Sequence, residues 1–204
     1  MHLVVGLGNP GNEFTGTRHN VGWEALDLLA ARLGFIAKPA DFDRMARNKF
    51  SGLLLDGSVQ TPDGPQRVML LKPLTFMNLS GRAVSEAMAF HKIEPEQVLI
   101  VLDDLALPCG RLRIRKGGSA GGHNGLKDIQ RALGTDQYPR LRIGIDAAPQ
   151  PMAGRDYVLG RFTAEQRRLL EPALEKTASA ILAWIERGID KAMNAFNGED
   201  LEQQ

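Results

Sequence analysis

A single cysteine, Cys109, leaves the chain unable to form an internal disulfide, which fits a reducing compartment. No apolar run approaches the ~18 residues of a membrane span, and the N-terminus lacks the charged and apolar regions of an export signal. We therefore expect a cytoplasmic protein with no membrane partner. Charge of one sign is also missing: 25 basic residues face 24 acidic ones. Affinity for a polyanion must then come from local clustering. There is no H-E-x-x-H, no C-x-x-C and no G-x-S-x-G, and histidine occurs only at positions 2, 19, 91 and 123. These absences argue against a metal site and against a covalent serine or cysteine nucleophile, and we expect no cofactor. Repeats and low-complexity tracts are absent too.

What is present is ordinary globular composition, 43% apolar and 24% charged, arranged in alternating periods. Leu3–Leu7 reads as a buried strand, and Val21–Leu33 as a helix stopped by Gly34. Lys49–Leu55 and Arg67–Leu71 read as strands around the turn TPDGP. Ser80–His91 has helical spacing, and VLIVL at 98–102 marks a strand covered on both faces. Arg111–Lys116 and Arg140–Ile145 alternate as strands, with an amphipathic helix at Gly125–Leu133 between them. Thr163 and Gln166 form a capping box opening a long helical stripe, which Pro172 is expected to break or restart. The result is one α/β domain over residues 1–197, a mixed, mostly parallel twisted sheet flanked by helices, with a polar tail at 198–204.

GLGNPG, Gly6 to Gly11, fits the dinucleotide fingerprint G-x-G-x-x-G. That site needs a helix to start within the fingerprint, with its amides on the pyrophosphate. Here Pro10, Thr15, Gly16 and Thr17 delay the helix to about Val21, and no second strand ends in an acid about twenty residues on. A tight turn at a strand exit accounts for the glycines better.

Four polar clusters fall at strand exits, where open α/β sheets place ligands. They are Asn9 with TRHN at 17–20, the group Phe76-Met77-Asn78, the pair Asp103-Asp104, and the glycine-rich turn GGHNG at 121–125. A histidine backed by a carboxylate can deprotonate water, while neutral amides donate to a developing oxyanion. That inventory suits metal-free ester hydrolysis. Arg111, Arg113 and Arg115 alternate on one strand, Arg140 and Arg142 on another, and nearby glycines allow close backbone approach. Phe14 and Phe76 stand ready to stack on a base or ribose. RNA carrying a small-molecule end is the ligand these features suggest.

GLGNPGNEFTGTRHNVG, KPLTFMNLSG and DDLALPCGRLRIRKGGSAGGHNGLKDI together resemble the bacterial-type peptidyl-tRNA hydrolase family, over about Leu3 to Phe162. The resemblance implies the family's α/β fold, a monomer without metal, and tRNA as partner. It implies an enzyme that cleaves the ester between a peptide and the 3′-terminal ribose of tRNA, recycling tRNA from aborted translation. By the same resemblance His19 is the general base, Asp103 its carboxylate, and Asn9 the residue that tells blocked from free aminoacyl ends. Asn78 and Asn124 would hold the peptide or the tRNA end, Phe76 would line the cleft, and Arg115 and Arg142 would meet tRNA phosphate. Phe14 stands where the family often has tyrosine, and Ala106 where it often has aspartate. A lid-like segment is expected over Gln150–Gly160.

Overall fold

The structure, a computed structural model, describes residues 1–197; the polar tail expected at 198–204 lies outside them. Seven strands form one mixed sheet: β1 (His2–Gly6), β2 (Arg47–Lys49), β3 (Gly52–Thr61), β4 (Gly64–Pro73), β5 (Val98–Asp104), β6 (Leu112–Arg115) and β7 (Arg140–Gly144). Their order is β2-β3-β4-β1-β5-β7-β6. The central strands β4, β1, β5 and β7 run parallel, and the outer strands β2, β3 and β6 pair antiparallel.

Helices cover both faces, so the central strands are apolar without alternation. Val4, Leu70, Val101 and Leu141 pack toward α1 (Val21–Arg32) and α6 (Ala164–Arg187). Leu3, Val5, Leu71, Ile100 and Leu102 pack toward α3 (Ser80–His91) and α4 (Asn124–Leu133). Two small elements, α2 (Phe42–Met45) and α5 (Gly154–Val158), and the helix α7 (Ile189–Phe196) complete the helices among the described residues, besides the 3-10 turns.

Two expectations need correction. The strand expected over Lys49–Leu55 is two strands: Phe50 and Ser51 have φ of 55° and 48°, which folds the chain back between β2 and β3. Pro172 does not break the last long helix. It lies inside α6 on the solvent side, so water can satisfy the carbonyl that loses its amide partner. The Thr163–Gln166 capping box does start that helix.

The glycines of GLGNPG serve packing and turning. A Cβ on Gly6 would lie 2.3 Å from the carbonyl oxygen of Gly22, so β1 can meet α1 only where both residues lack side chains. Gly11, at φ 117°, turns the chain away from the sheet, and two 3-10 turns separate it from α1. No helix starts within the fingerprint, so the pyrophosphate geometry is absent.

Candidate active site

The polar clusters meet at the carboxyl ends of the parallel strands. A cleft of about 550 Å3 opens there, lined by residues that include Asn9, His19, Phe76, Asn78, Asp103, His123, Asn124 and Arg142. Gly154, Arg155, Val158 and Leu159, from α5 and its flank, form one wall.

His19 lies in the 3-10 turn Arg18–Asn20, just ahead of α1. Its Nδ1 is 2.8 Å from Oδ1 of Asp103, the penultimate residue of β5, 84 positions away. Both side chains are buried, with side-chain exposures of 11% and 2%. The same carboxylate oxygen is 3.1 Å from Nε2 of His123. An ionised carboxylate only accepts, so both imidazoles must donate to it. A neutral His19 therefore carries its proton on Nδ1 and its lone pair on Nε2. His123 is fixed the opposite way, because its Nδ1 accepts the Leu126 amide at 3.4 Å.

Burial alone would push the Asp103 carboxyl up. The charges and hydrogen bonds of the two histidines overcome that and hold it below the usual carboxylate range. The group thus stays an anion deep in the protein, next to the ring that would become imidazolium.

The neighbouring amides are oriented as firmly. Asn9 accepts the Met77 amide on Oδ1 at 2.8 Å, and its main chain exchanges two 2.9 Å bonds with the Asn20 side chain. With that oxygen committed, the NH2 group is what Asn9 has left to offer the cleft. Asn78 projects from the turn Met77–Leu79, and Asn124 is the first residue of α4. Arg18, only 6% exposed, lays its guanidinium 3.9 Å from the ring centroid of Tyr157 and donates to the Tyr157 carbonyl and to Gln166. Its main chain also bonds Gly160. The histidine turn and the lid-like wall are tied together at that point.

Seven of the nine residues singled out in the sequence line this cleft; Phe14 and Arg115 do not. Phe14 meets Phe76 edge-on with centroids 6.5 Å apart, so it supports the wall. Arg115 is exposed on β6, the outermost strand beyond β7. Arg142 reaches the cleft already engaged, 3.1 Å from both Asp104 and the Ser119 carbonyl. Asp104 also accepts the Ala106 amide at 2.8 Å, so the turn holds without an acid at position 106.

The sequence reading missed His123 as a site residue, although it sits inside the GGHNG turn. Its signal, a second histidine at a strand-exit cluster, becomes legible only once Asp103 is seen between the two rings. The ligating atoms of His19, Asp103 and His123 lie within 4.8 Å of one another, a spacing that can hold a metal ion. Sequence spacing could not show this trio, because its members come from three separate segments.

Comparison with known proteins points to one family. A family model described as peptidyl-tRNA hydrolase matches residues 3–204. The chain is 46% identical over 200 residues to the peptidyl-tRNA hydrolase of Desulfitobacterium hafniense, covering 97% of this chain and all of that one. It is 44% identical over 198 residues to that of Alkaliphilus metalliredigens, again covering 97% and all of the relative. Among solved structures, the peptidyl-tRNA hydrolase of Acinetobacter baumannii superposes with a TM-score of 0.86 at 34% identity, over 97% of this chain and 95% of that one.

Proposed function

The chain belongs to the peptidyl-tRNA hydrolase family, and from that premise we propose that its cleft drives water onto the peptidyl ester with His19 as general base. The reaction is hydrolysis of the ester bond that joins a peptide to tRNA. Nε2 of His19 takes a proton from water as the oxygen attacks the ester carbonyl carbon. The imidazolium that forms is stabilised by Asp103, 2.8 Å from Nδ1. Amide donors from Asn9, Asn78 and Asn124 face the developing oxyanion. The bond from carbon to the ribose oxygen then breaks, His19 returns its proton to that oxygen, and free peptide and tRNA leave. Exposed Arg115 and the nearby glycines meet tRNA phosphate, with Arg142 at the cleft edge. The cleft is complete within one chain, which supports a monomer, and no described helix is long and apolar enough to cross a membrane. A reducing, cytoplasmic setting fits the lone buried Cys109.

The observation that carries this reading is the double acceptance by Asp103 Oδ1, which puts the proton of a neutral His19 on Nδ1 and its lone pair on Nε2. Asn9 adds a physical basis for selectivity. Its NH2 group can donate to the carbonyl oxygen of a blocked amino group, whereas a free ammonium has only protons to offer and repels it. Purified protein should therefore cleave N-acetyl-aminoacyl-tRNA and spare unblocked aminoacyl-tRNA, at a rate unaffected by a transition-metal chelator that leaves magnesium in place. Equal cleavage of both substrates, or loss of turnover with the chelator, would contradict the proposed chemistry.

A further inference from the structure

The carboxyl edge of the sheet is chemically lopsided. On the β7–β6 side stands Arg142 with the exposed Arg113 paired beside it, and Arg115, paired with Arg140 at the start of β7, continues the basic row along β6 away from that edge. On the β4 side stand exposed apolar groups: Leu74 at 38%, Phe76 at 55% and Leu79 at 48%. A substrate that is polyanion at one end and peptide at the other fits this edge in one orientation, with phosphates toward β6 and the peptide passing over Phe76 toward β4.

Beyond Phe76 lies a second groove of about 440 Å3, lined by Asn48 to Gly52 from the β2–β3 turn and by Leu74 and Thr75. Resting on the reading of the cleft given above, we propose that this groove is a distal subsite for the peptide of peptidyl-tRNA, entered by the third to fifth residue from the ester. The reach follows from the sheet. Gly52 pairs with Pro73 at the end of β4, the neighbour of β1. Two to three strand spacings of about 4.8 Å therefore separate the Asn9 end of the cleft from the groove, roughly 10–14 Å. An extended peptide advances roughly 3.3 Å per residue.

The groove is built as a surface for binding. Phe50 and Ser51 both hold left-handed backbone, which β-carbon-bearing residues adopt only against steric strain. The cost is offset by Ser51, whose hydroxyl bonds Glu86 at 2.9 Å and whose carbonyl accepts the Leu74 amide at 2.9 Å. Lys49 lies 4.0 Å from the ring centroid of Phe90 and 4.7 Å from that of Phe50, without a carboxylate partner among the described residues. Thr75 lines the groove next in the chain to Phe76 of the cleft, and its hydroxyl oxygen is buried and makes no hydrogen bond. A peptide main chain crossing Thr75 supplies the missing partner, and Phe50 and Leu74 offer apolar contact. Lys49 favours an acidic side chain or an acyl oxygen.

The test compares two substrates, N-acetyl-aminoacyl-tRNA and a hexapeptidyl-tRNA on the same tRNA, with Phe50→Ala, Leu74→Ser and Lys49→Ala variants. The latter two change exposed side chains and leave the fold intact if Phe50→Ala does not. KM for the hexapeptidyl substrate should rise three- to tenfold in each variant with kcat unchanged, while the one-residue substrate shows no change. Equal loss on both substrates, or no loss on either, overturns the subsite. Weaker binding of deacylated tRNA by Lys49→Ala would overturn it in favour of an RNA contact. Wild-type protein that cleaves neither substrate would instead refute the reading of the cleft.

Discussion

Asp103 accepts two N–H groups on one oxygen while almost entirely buried, and that single atom sets the protonation of the site. Replacing it with asparagine keeps the shape but offers N–H groups where an acceptor is needed. Asp103→Asn should lower kcat by 10²-fold or more, because His19 can then present the wrong tautomer; pre-steady-state hydrolysis would measure this. His123→Ala removes only one of two hydrogen bonds to the anion and should cost about tenfold in kcat with little change in KM. A kcat loss as large as that of Asp103→Asn would make His123 more than a positioning residue. The pH dependence follows from the direction of the Asp103 shift. Its folded value is depressed, so the stability it contributes is present above the unfolded carboxylate value and is lost only as pH falls through the still lower folded one. Between pH 7 and 5 the carboxylate therefore stays charged and the fold keeps that contribution. Any rate loss in that window should be fully reversible and unaccompanied by a change in circular dichroism. Cys109 behaves in the opposite sense: burial pushes its thiol up to about 11, so native protein at pH 8 should react with a thiol reagent far more slowly than unfolded protein.

At the scale of elements, the site depends on how closely α1 meets the sheet. A Cβ on Gly22 would sit 2.5 Å from the Val101 carbonyl oxygen and 2.6 Å from the main chain of Leu7, all of it backbone that cannot swing aside. Gly22→Ala should destabilise by about 3 kcal/mol, lowering Tm by roughly 6–12 °C in a chain of this size. It should also reduce activity in the protein that remains folded, because the displaced helix carries the His19 turn. At the other end of the sheet, Asn197 uses its side-chain amide as a strand would. It accepts the Ile114 amide at 2.7 Å and donates to the Ile114 carbonyl at 2.9 Å, closing the open edge of β6 under α7. Asp128 does similar service on the opposite face, accepting the Gly81 amide at 2.8 Å at the start of α3, which lacks a cap of its own.

Across the whole molecule, net charge is close to zero, so RNA affinity rests on where the cations stand. Arg115→Ala should lower the slope of log affinity against log salt by about one, the share of a single phosphate contact. At this scale it is also clear what the sequence could and could not reveal. VLIVL and the Thr163 capping box were legible because burial on two faces and helix capping act over a few neighbours. The strand exits then indicated where Asn9, Asn78, Asp103 and Asn124 would gather. The break at Phe50–Ser51 was hidden, because nothing in those residue types favours left-handed backbone; packing on Phe90 and the bond to Glu86 impose it. His123 was hidden for a related reason, since its partner Asp103 is twenty positions away and meets it only through the sheet. Pro172 misled because local rules count the lost amide and cannot see that its side of α6 faces water. Phe14 and Arg115 do not reach the cleft wall, because their places are set by the 3-10 turn and the strand order.

The central claim is that His19, oriented by Asp103, activates the attacking water. The measurement that bears on it most directly is single-turnover hydrolysis of N-acetyl-aminoacyl-tRNA by His19→Ala, alongside its affinity for the same tRNA. Loss of a general base predicts a rate lower by ~10²–10⁴ with affinity nearly unchanged. Turnover within a few-fold of wild type would contradict it.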